Sequence, residues 1–225
     1  MQNSDKTETT PCLICKNLEF GYDHALMPPL NWQVNPGECW AIAGENGCGK
    51  TTLLKTLLGF IKPIGGSFEK ARDCAYIAQV SEAASTAPAR IRDTVALGLE
   101  TRTSFLKPFY AWRHRKEIED ALEQFELTDI RNRDISRVSV GQKQRALLAK
   151  AFVRRPQLVF LDEATSAMDP KHAKACFAHL AQIVRSQNCA VIAVSHSLSL
   201  HAESMTHILE FTEDGYRETD GQWIN

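Results

Sequence analysis

Apolar residues occur along the chain in two patterns, and both predict strands. Continuous apolar runs bounded by polar residues are typical of strands buried on both faces of a parallel sheet. Three segments have this pattern: CWAIA (39–43), LVFL (158–161) and CAVIAV (189–194). Three further segments are predicted as strands, the first two by alternation: ICKNLEF (14–20), LNWQV (30–34) and CAYIA (74–78). Helical patterns cover Lys50 to about Phe60, about 142–154 and 170–186. Because strands alternate with helices, we predict an α/β fold.

The pattern changes between about residues 81 and 136, where no convincing strand appears. IRDTVALGLE (91–100) and RKEIEDALEQFE (115–126) both have a helical pattern. We therefore predict an inserted α-helical subdomain. Its middle part, TRTSFLKPFYAWRHRK (101–116), mixes four aromatic residues with several basic ones. This segment fits either a solvated helix face with docked aromatics or a partner-binding surface, and the pattern leaves both alternatives open.

Composition restricts the partners and the compartment. The net charge is −1, with 26 basic and 27 acidic side chains, so no overall field attracts nucleic acid or anionic lipid. The first eleven residues are polar and lack the apolar core of a signal peptide. The longest apolar runs are far shorter than the roughly 18 residues of a membrane helix. We expect a cytosolic chain whose membrane role depends on a partner.

The seven cysteines are odd in number and scattered along the chain, which favours a reducing compartment over a disulfide framework. Cys12 and Cys15 form a CxxC pair with no evident further ligand nearby. A metal site would need more ligands. Plain, partly buried thiols are therefore the favoured interpretation of this pair, and a metal site is the alternative.

The segment GENGCGKT (44–51) fits the pattern G-x-x-x-x-G-K-[ST] and lies between a predicted strand and a predicted helix. Glycines at these positions let backbone N–H groups surround phosphate oxygens at the positive end of the helix dipole. Lys50 is expected to reach the β- and γ-phosphates, and Thr51 is expected to hold a magnesium ion. The segment therefore predicts a nucleotide-triphosphate site.

Two carboxylates end the predicted strand of LVFLDE (158–163). A buried strand delivers them to the carboxyl edge of the sheet, where α/β proteins bind ligands. Asp162 suits magnesium, often through water, and Glu163 suits orienting and deprotonating an attacking water. A helix cap is the alternative role for such a pair, but the upstream phosphate loop favours catalysis.

A second phosphate-ready helix start is predicted in VSVGQKQR (138–145). Ser139 and Gly141 precede a helix that we expect to begin near Gln142. The chain thus carries two candidate phosphate sites.

From about residue 12 to 211 the chain resembles the nucleotide-binding subunit of an ATP-binding cassette (ABC) transporter. Six motifs match in order. Tyr22 in FGY resembles the aromatic that stacks on adenine, and GENGCGKT resembles the Walker A motif. Gln79 resembles the Q-loop glutamine, and VSVGQ resembles the LSGGQ signature. LVFLDE with SAMD (166–169) resembles Walker B and the D-loop, and His196 resembles the switch histidine. The family has glycine where this chain has Val140, and we expect Val140 to adopt negative φ.

The resemblance implies a P-loop NTPase core at about 12–80 and 137–211, with a mostly parallel sheet, flanking helices and an antiparallel β subdomain. The helical subdomain falls at about 81–136, and the whole chain is one ABC ATPase domain. The implied cofactors are ATP and Mg²⁺. The implied catalytic residues are Glu163, His196 and Gln79, and the implied metal ligands are Thr51, Gln79 and Asp162. The implied nucleotide contacts are Tyr22, Gly44, Glu45, Asn46, Gly47, Cys48, Gly49, Lys50, Thr51, Thr52, Ser139, Gly141, Gln142 and Asp169.

The family also implies partners. Two cassettes pack head to tail in the ATP-bound state, and an integral-membrane permease docks near Gln79 and residues 81–136. This arrangement places the chain in the cytoplasm, peripheral on the inner face of the cell membrane. An extracytoplasmic substrate-binding protein is a further implied partner, and nucleic acid is not.

Within the family, the chain most resembles the subunits of zinc, manganese or iron-chelate importers. The resemblance lies in the motif spacing, the sequence IRDTVALGL and the short length. The alternative is an ABC ATPase that acts on DNA or ribosomes, although the long coiled-coil insertions, tandem cassettes or basic surfaces of such proteins are missing from the sequence. A cassette that binds ATP without hydrolysis is disfavoured because Glu163 and His196 are both present.

Overall fold

The computed structural model of the protein describes residues 10–78, 89–99, 113–162, 170–194 and 204–221. The strands within these ranges are β1 Leu13–Glu19, β2 Leu30–Val34, β3 Cys39–Ala43, β4 Gly65–Lys70, β5 Cys74–Ile77, β6 Leu158–Asp162, β7 Ala190–Val194, β8 His207–Thr212 and β9 Gly215–Asp220. The α-helices are α1 Lys50–Leu58, α2 Ile91–Ala96, α3 Arg115–Gln124, α4 Val140–Phe152 and α5 Pro170–Gln187. A 3₁₀ turn, Leu97–Leu99, continues α2.

The apolar runs of the sequence form the centre of a mostly parallel sheet. Its strand order in the described residues is β5-β6-β7-β3-β8-β9, and only β9 runs antiparallel to its neighbour. Every residue of β3, β6 and β7 is buried. Since parallel strands end at the same edge, the segments that follow β3, β5, β6 and β7 start from one edge of the sheet.

A second sheet has the order β2-β1-β4 and is antiparallel. Cys15 of β1 pairs with Trp32 of β2 on one side and with Phe68 of β4 on the other. The predicted combination of a mostly parallel sheet, flanking helices and an antiparallel β part is confirmed.

Both faces of the parallel sheet pack against other layers, which explains why its central strands are apolar throughout. On one face, Val159 and Leu161 of β6 share a core with residues of α2, α3, α4 and α5. On the other face, Leu158 and Phe160 share a core with α1 and the antiparallel sheet. Successive residues of a strand alternate between the two cores, as the period of two requires.

Three strands were not predicted: β4, β8 and β9. The β4 segment GGSFEK and the β9 segment GYRETD are mostly polar or glycine, and they lie at the edges of their sheets in the described residues. Edge strands bury little side-chain surface, so their apolar signal is weak. The prediction that α4 begins near Gln142 was two residues late, because the helix begins at Val140.

Cys12 and Cys15 are free thiols and are buried, where the favoured interpretation predicted partial burial; the absence of a metal site stays a prediction. Burial raises the pKa of Cys12 to about 11 and that of Cys15 to about 12, which disfavours the thiolate that binds metal. Across the described ranges, no group of three or more His, Cys, Asp or Glu side chains is placed to hold a metal ion. None of the helices in these ranges combines the length and apolarity that a membrane span requires.

Candidate active site

The phosphate loop connects the buried strand β3 to helix α1, as the motif predicted. Gly44, Gly47 and Gly49 all have positive φ, at 136°, 85° and 103°. A side chain at Gly44 would also collide with the protein, because an added Cβ would lie 2.8 Å from the Phe211 carbonyl oxygen. Glycine is therefore required here by both conformation and space. Gly49 is the N-cap of α1, so the loop leads directly to the positive end of a helix dipole.

Lys50 lies beneath this loop and is almost fully buried, with 4% of its surface exposed. Its Nζ donates hydrogen bonds to the carbonyl oxygens of Gly44, at 2.8 Å, and Glu45, at 2.6 Å. Nζ also lies 3.7 Å from Cys48 Sγ. A buried ammonium held by neutral carbonyls keeps its charge available to a phosphate bound in the loop.

Asp162 ends β6 and is buried, with 9% of its surface exposed. It shares its side of the strand with Phe160, which packs in the same core as Leu53 and Leu57 of α1. The carboxylate therefore faces the side of the sheet on which α1 and the phosphate loop lie. The Tyr76 hydroxyl of β5 donates to Asp162 Oδ2 at 3.4 Å.

Four of the predicted site residues lie outside the described residues: Gln79, Glu163, Asp169 and His196. Their roles remain predictions. Gln79, Glu163 and His196 follow β5, β6 and β7 within two residues along the chain. These three strands are neighbours in the sheet and end at one edge.

The Ser139 segment forms the start of α4. Ser139 is its N-cap, and its hydroxyl accepts from the Gln142 backbone N–H at 3.2 Å. The Gln142 side chain in turn accepts from the Ser139 N–H at 3.1 Å, which completes a capping box. Gly141 and the 52% exposed Val140 lie in the first helical turn. The remaining N–H groups of this turn have no acceptor within the helix, so they suit an anion.

Tyr22 lies on a short turn closed by a bridge between Gly21 and Ala25. Its side chain is 68% exposed. Leu26, which directly follows this turn, reaches the phosphate loop, because a Cβ added to Gly49 would lie 3.1 Å from Leu26 Cδ1. An exposed aromatic ring beside a phosphate loop is suited to stacking on a base.

The oxygen atoms at this site fit Mg²⁺. Thr51, in the first turn of α1, would contribute a hydroxyl, and the buried Asp162 would contribute a carboxylate that faces the same side of the sheet. Hard oxygen ligands of this kind, with one or two carboxylates beside a phosphate, are the set that Mg²⁺ prefers. Thr52 follows Thr51 in α1, and Glu45 and Asn46 lie in the phosphate loop between β3 and α1.

Two contacts of the site were not predicted from the sequence: Leu26 against Gly49, and Tyr76 with Asp162. Both join segments that are distant in the chain. The Tyr76 contact depends on the register of β5 against β6, in which Tyr76 is opposite Phe160. No local pattern reports that register, so no sequence signal was available for it.

Comparison with known proteins agrees with this geometry. The family model described as "ABC transporter" matches residues 27–166. The chain therefore belongs to the ABC transporter family, as an ATP-binding and ATP-hydrolysing cassette that powers a membrane transporter.

Individual relatives cover most of the chain. The zinc uptake system ATP-binding protein ZurA of Listeria monocytogenes is 33% identical over 210 residues, which are 88% of this chain and 81% of that protein. The molybdate import ATP-binding protein MolC of Haemophilus influenzae is 34% identical over 188 residues, 82% of this chain and 72% of that protein. A solved structure, assigned to a metal-chelate type ABC transporter in an inward-facing conformation, is 28% identical with a TM-score of 0.80. That match covers 94% of this chain and 84% of the other.

Proposed function

We propose that this cassette hydrolyses MgATP to power the import of a metal ion or metal chelate through a membrane permease. The observation that carries the choice of cargo is that ZurA and MolC, at 33% and 34% identity, are named for zinc uptake and molybdate import. These two relatives differ in cargo, because zinc is a metal ion and molybdate is a metal oxyanion, so together they support metal import and not one particular metal. The zinc and iron-chelate resemblance of the sequence motifs supports the same class.

The phosphate loop, Lys50 and Tyr22 supply the nucleotide-binding part of the site. The glycine loop and the buried Lys50 hold the β- and γ-phosphates, and the exposed Tyr22 ring stacks on adenine. Thr51 and Asp162, with Gln79, would hold Mg²⁺, which would neutralise phosphate charge. Glu163 orients and deprotonates the attacking water, and His196 contacts the γ-phosphate.

A dimer completes the site. The start of α4 is a second anion-binding helix terminus on the same chain, separate from the start of α1. We propose that Ser139, Gly141 and Gln142 of one chain close over the ATP bound by the phosphate loop of a second copy, with Asp169 near the same interface. Two ATP molecules are then enclosed, and hydrolysis releases the two halves.

The cassette works on the inner face of the cell membrane. The permease docks near Gln79 and on the helical subdomain at about 81–136, and an extracytoplasmic substrate-binding protein delivers the cargo. No nucleic acid takes part, which agrees with a net charge of −1.

Transport by the purified complex tests the proposal. The tagged chain is isolated from its own membranes in detergent, and the permease that copurifies with it is reconstituted in proteoliposomes. We expect ATP-driven accumulation of Zn²⁺, Mn²⁺ or an iron chelate, and we expect Lys50→Ala to abolish it. Efflux in place of uptake would contradict import. ATPase activity stimulated by DNA or ribosomes, and not by membranes, would favour the non-transport alternative.

A further inference from the structure

A tyrosine on the neighbouring strand contacts the carboxylate that we assign to Mg²⁺. Tyr76 of β5 pairs in register with Phe160 of β6, and Asp162 lies two residues further along β6. Residues two apart in a strand point to the same face. The Tyr76 side chain therefore follows the face shared by Phe160 and Asp162, and its hydroxyl oxygen lies 3.4 Å from Asp162 Oδ2.

The tyrosine ring has its own supports. It packs against the core formed by α1, the antiparallel sheet and one face of the parallel sheet. Its ring also meets the Phe60 ring edge-on, with centroids 6.2 Å apart and planes at 67°. Phe60 directly follows Gly59, the C-cap of α1. The ring is thus held by packing, so its hydroxyl has a defined position.

The hydroxyl can only donate to this carboxylate while it is protonated. Because the reference pKa of a tyrosine phenol is about 10, the hydroxyl is protonated at physiological pH and is a donor. A hydrogen bond from a neutral phenol to a carboxylate restricts the carboxylate orientation without neutralising its charge.

We propose that Tyr76 is a positioning residue, whose hydroxyl holds Asp162 in the orientation that receives Mg²⁺. This inference rests on the proposed role of Asp162 as a metal ligand. Groups that hydrogen-bond to a ligating carboxylate orient it and strengthen metal binding. Tyr76 thereby acts through Asp162 and touches neither nucleotide nor metal.

Tyr76→Phe removes the hydroxyl and keeps the ring that packs against Phe60. The affinity of the full-length variant for a fluorescent ATP analogue is measured with Mg²⁺ and in EDTA. We expect the affinity with Mg²⁺ to fall about three- to tenfold, the range for loss of one hydrogen bond of ordinary strength, because the 3.4 Å contact is long. The affinity in EDTA and the thermal unfolding midpoint should be unchanged.

Tyr216→Phe is the matched control. The Tyr216 hydroxyl donates to the Pro29 carbonyl at 3.1 Å and accepts from the Asn31 N–H at 3.2 Å. It therefore makes at least as many hydrogen bonds as that of Tyr76, but with backbone groups of the β2 region. Its removal should leave the Mg²⁺ dependence of nucleotide binding unchanged.

Asp162→Asn separates failure of this inference from failure of the proposed site. If Asp162→Asn leaves the Mg²⁺ effect on binding intact, the metal assignment itself is wrong. If Asp162→Asn reduces the effect but Tyr76→Phe does not, only the role of Tyr76 is overturned. A loss of binding in EDTA, or a lower unfolding midpoint, in Tyr76→Phe would also overturn it. In the Asp162→Asn background, Tyr76→Phe should add nothing.

Discussion

Val140 is the residue at which the signature segment differs from the family pattern. The prediction of negative φ is confirmed, because Val140 is the first residue of α4. Within the described ranges, positive φ at non-glycine residues occurs at Asn17, Glu126, Arg155 and Asn188. A β-branched side chain is unstrained at negative φ, and this one is half exposed. Valine in place of the family's glycine therefore leaves the backbone N–H groups of the first turn in a helical geometry.

Val140→Gly should change ATPase activity by less than about tenfold, which corresponds to about 1.4 kcal/mol. The backbone already has the conformation that glycine would adopt in this turn. Removing the side chain therefore alters none of the N–H groups that would donate hydrogen bonds to a phosphate. Steady-state ATPase of both proteins with their membrane partner is the measurement. Thermal unfolding of the two proteins detects any separate change in helix stability. A hundredfold rise in the glycine variant would mean that valine cripples the natural site.

Cys48 is the cysteine at which thiol alkylation should block nucleotide binding. It lies in the phosphate loop, 3.7 Å from Lys50 Nζ, and is partly exposed. The other two partly exposed cysteines, Cys74 and Cys176, have their pKa raised by burial, that of Cys176 to about 11. A raised pKa slows alkylation because the thiolate is the reacting form. ATP binding after treatment with a bulky maleimide is measured, and bound ATP should protect.

Cys48→Ser is the control for this experiment. The variant should bind ATP and keep that binding after the same maleimide treatment. Equal sensitivity of Cys48→Ser and the natural chain would assign the effect to another of the seven cysteines.

Residues of the site were predictable where their chemistry is local in sequence. The loop glycines, Lys50 and the capping serine Ser139 all act through neighbours within six positions, and the sequence pattern records such spacing. The Ser139 and Gln142 capping box also fits the S-x-x-Q pattern, which would have set the start of α4 correctly. The Tyr76 contact with Asp162 spans 86 positions and depends on strand register, so it was not predictable.

Secondary-structure elements were predictable in proportion to their burial. The strands β3, β6 and β7 are buried throughout and their apolar runs predicted them. Helix α1 was predicted to extend to about Phe60 but ends at Leu58, because Gly59 adopts the left-handed conformation that terminates a helix. Helix α3 ends at Gln124, before Glu126, which has a φ of 54°. These ends depend on single backbone conformations and not on the apolar pattern.

Gly98 fixes the contact between the Leu97–Leu99 turn and α4. A Cβ added there would lie 1.9 Å from the Lys150 carbonyl oxygen and 2.7 Å from Val153 Cγ1. Gly98→Ala must therefore displace the backbone of the helix that Ser139 caps. We expect the free energy of unfolding to fall by about 1–3 kcal/mol or more, the range for overpacking. Equilibrium unfolding in urea measures the change.

Leu97→Ala is the matched control in the same turn. The Leu97 side chain is 45% exposed, so its truncation should cost less than about 1 kcal/mol. Equal urea midpoints for Gly98→Ala and the natural chain would show that the turn relaxes away from α4 and that the close approach is not required.

At the scale of the whole molecule, the fold class was predictable but the strand order was not. Alternating strands and helices predicted the parallel sheet. The order β5-β6-β7-β3, however, pairs strands that are far apart in sequence, and each apolar run is equally suited to any central position. The order has a functional consequence, because it brings the phosphate loop and the ends of β5, β6 and β7 to one edge. Each chain therefore has one candidate nucleotide edge and, at α4, one further helix N-terminus that is suited to an anion.

This arrangement predicts a nucleotide-dependent dimer. Glu163→Gln should abolish hydrolysis while ATP binding persists, since loss of a general base typically costs about 10²–10⁴-fold in rate. Unhydrolysed ATP should then hold two chains together. Size-exclusion chromatography with light scattering should show a species of twice the 25.2 kDa chain mass with MgATP and the monomer without it.

Two variants control this experiment. Glu213→Gln changes an exposed carboxylate in the β8–β9 turn and should leave turnover and mass unchanged. Glu163→Gln combined with Ser139→Arg places a bulky cation at the exposed start of α4, so it should bind ATP and remain monomeric. A dimer that persists in the combined variant would show that the chains associate through another surface. Turnover of Glu163→Gln within about twofold of the natural chain would refute the assignment of Glu163 as the base.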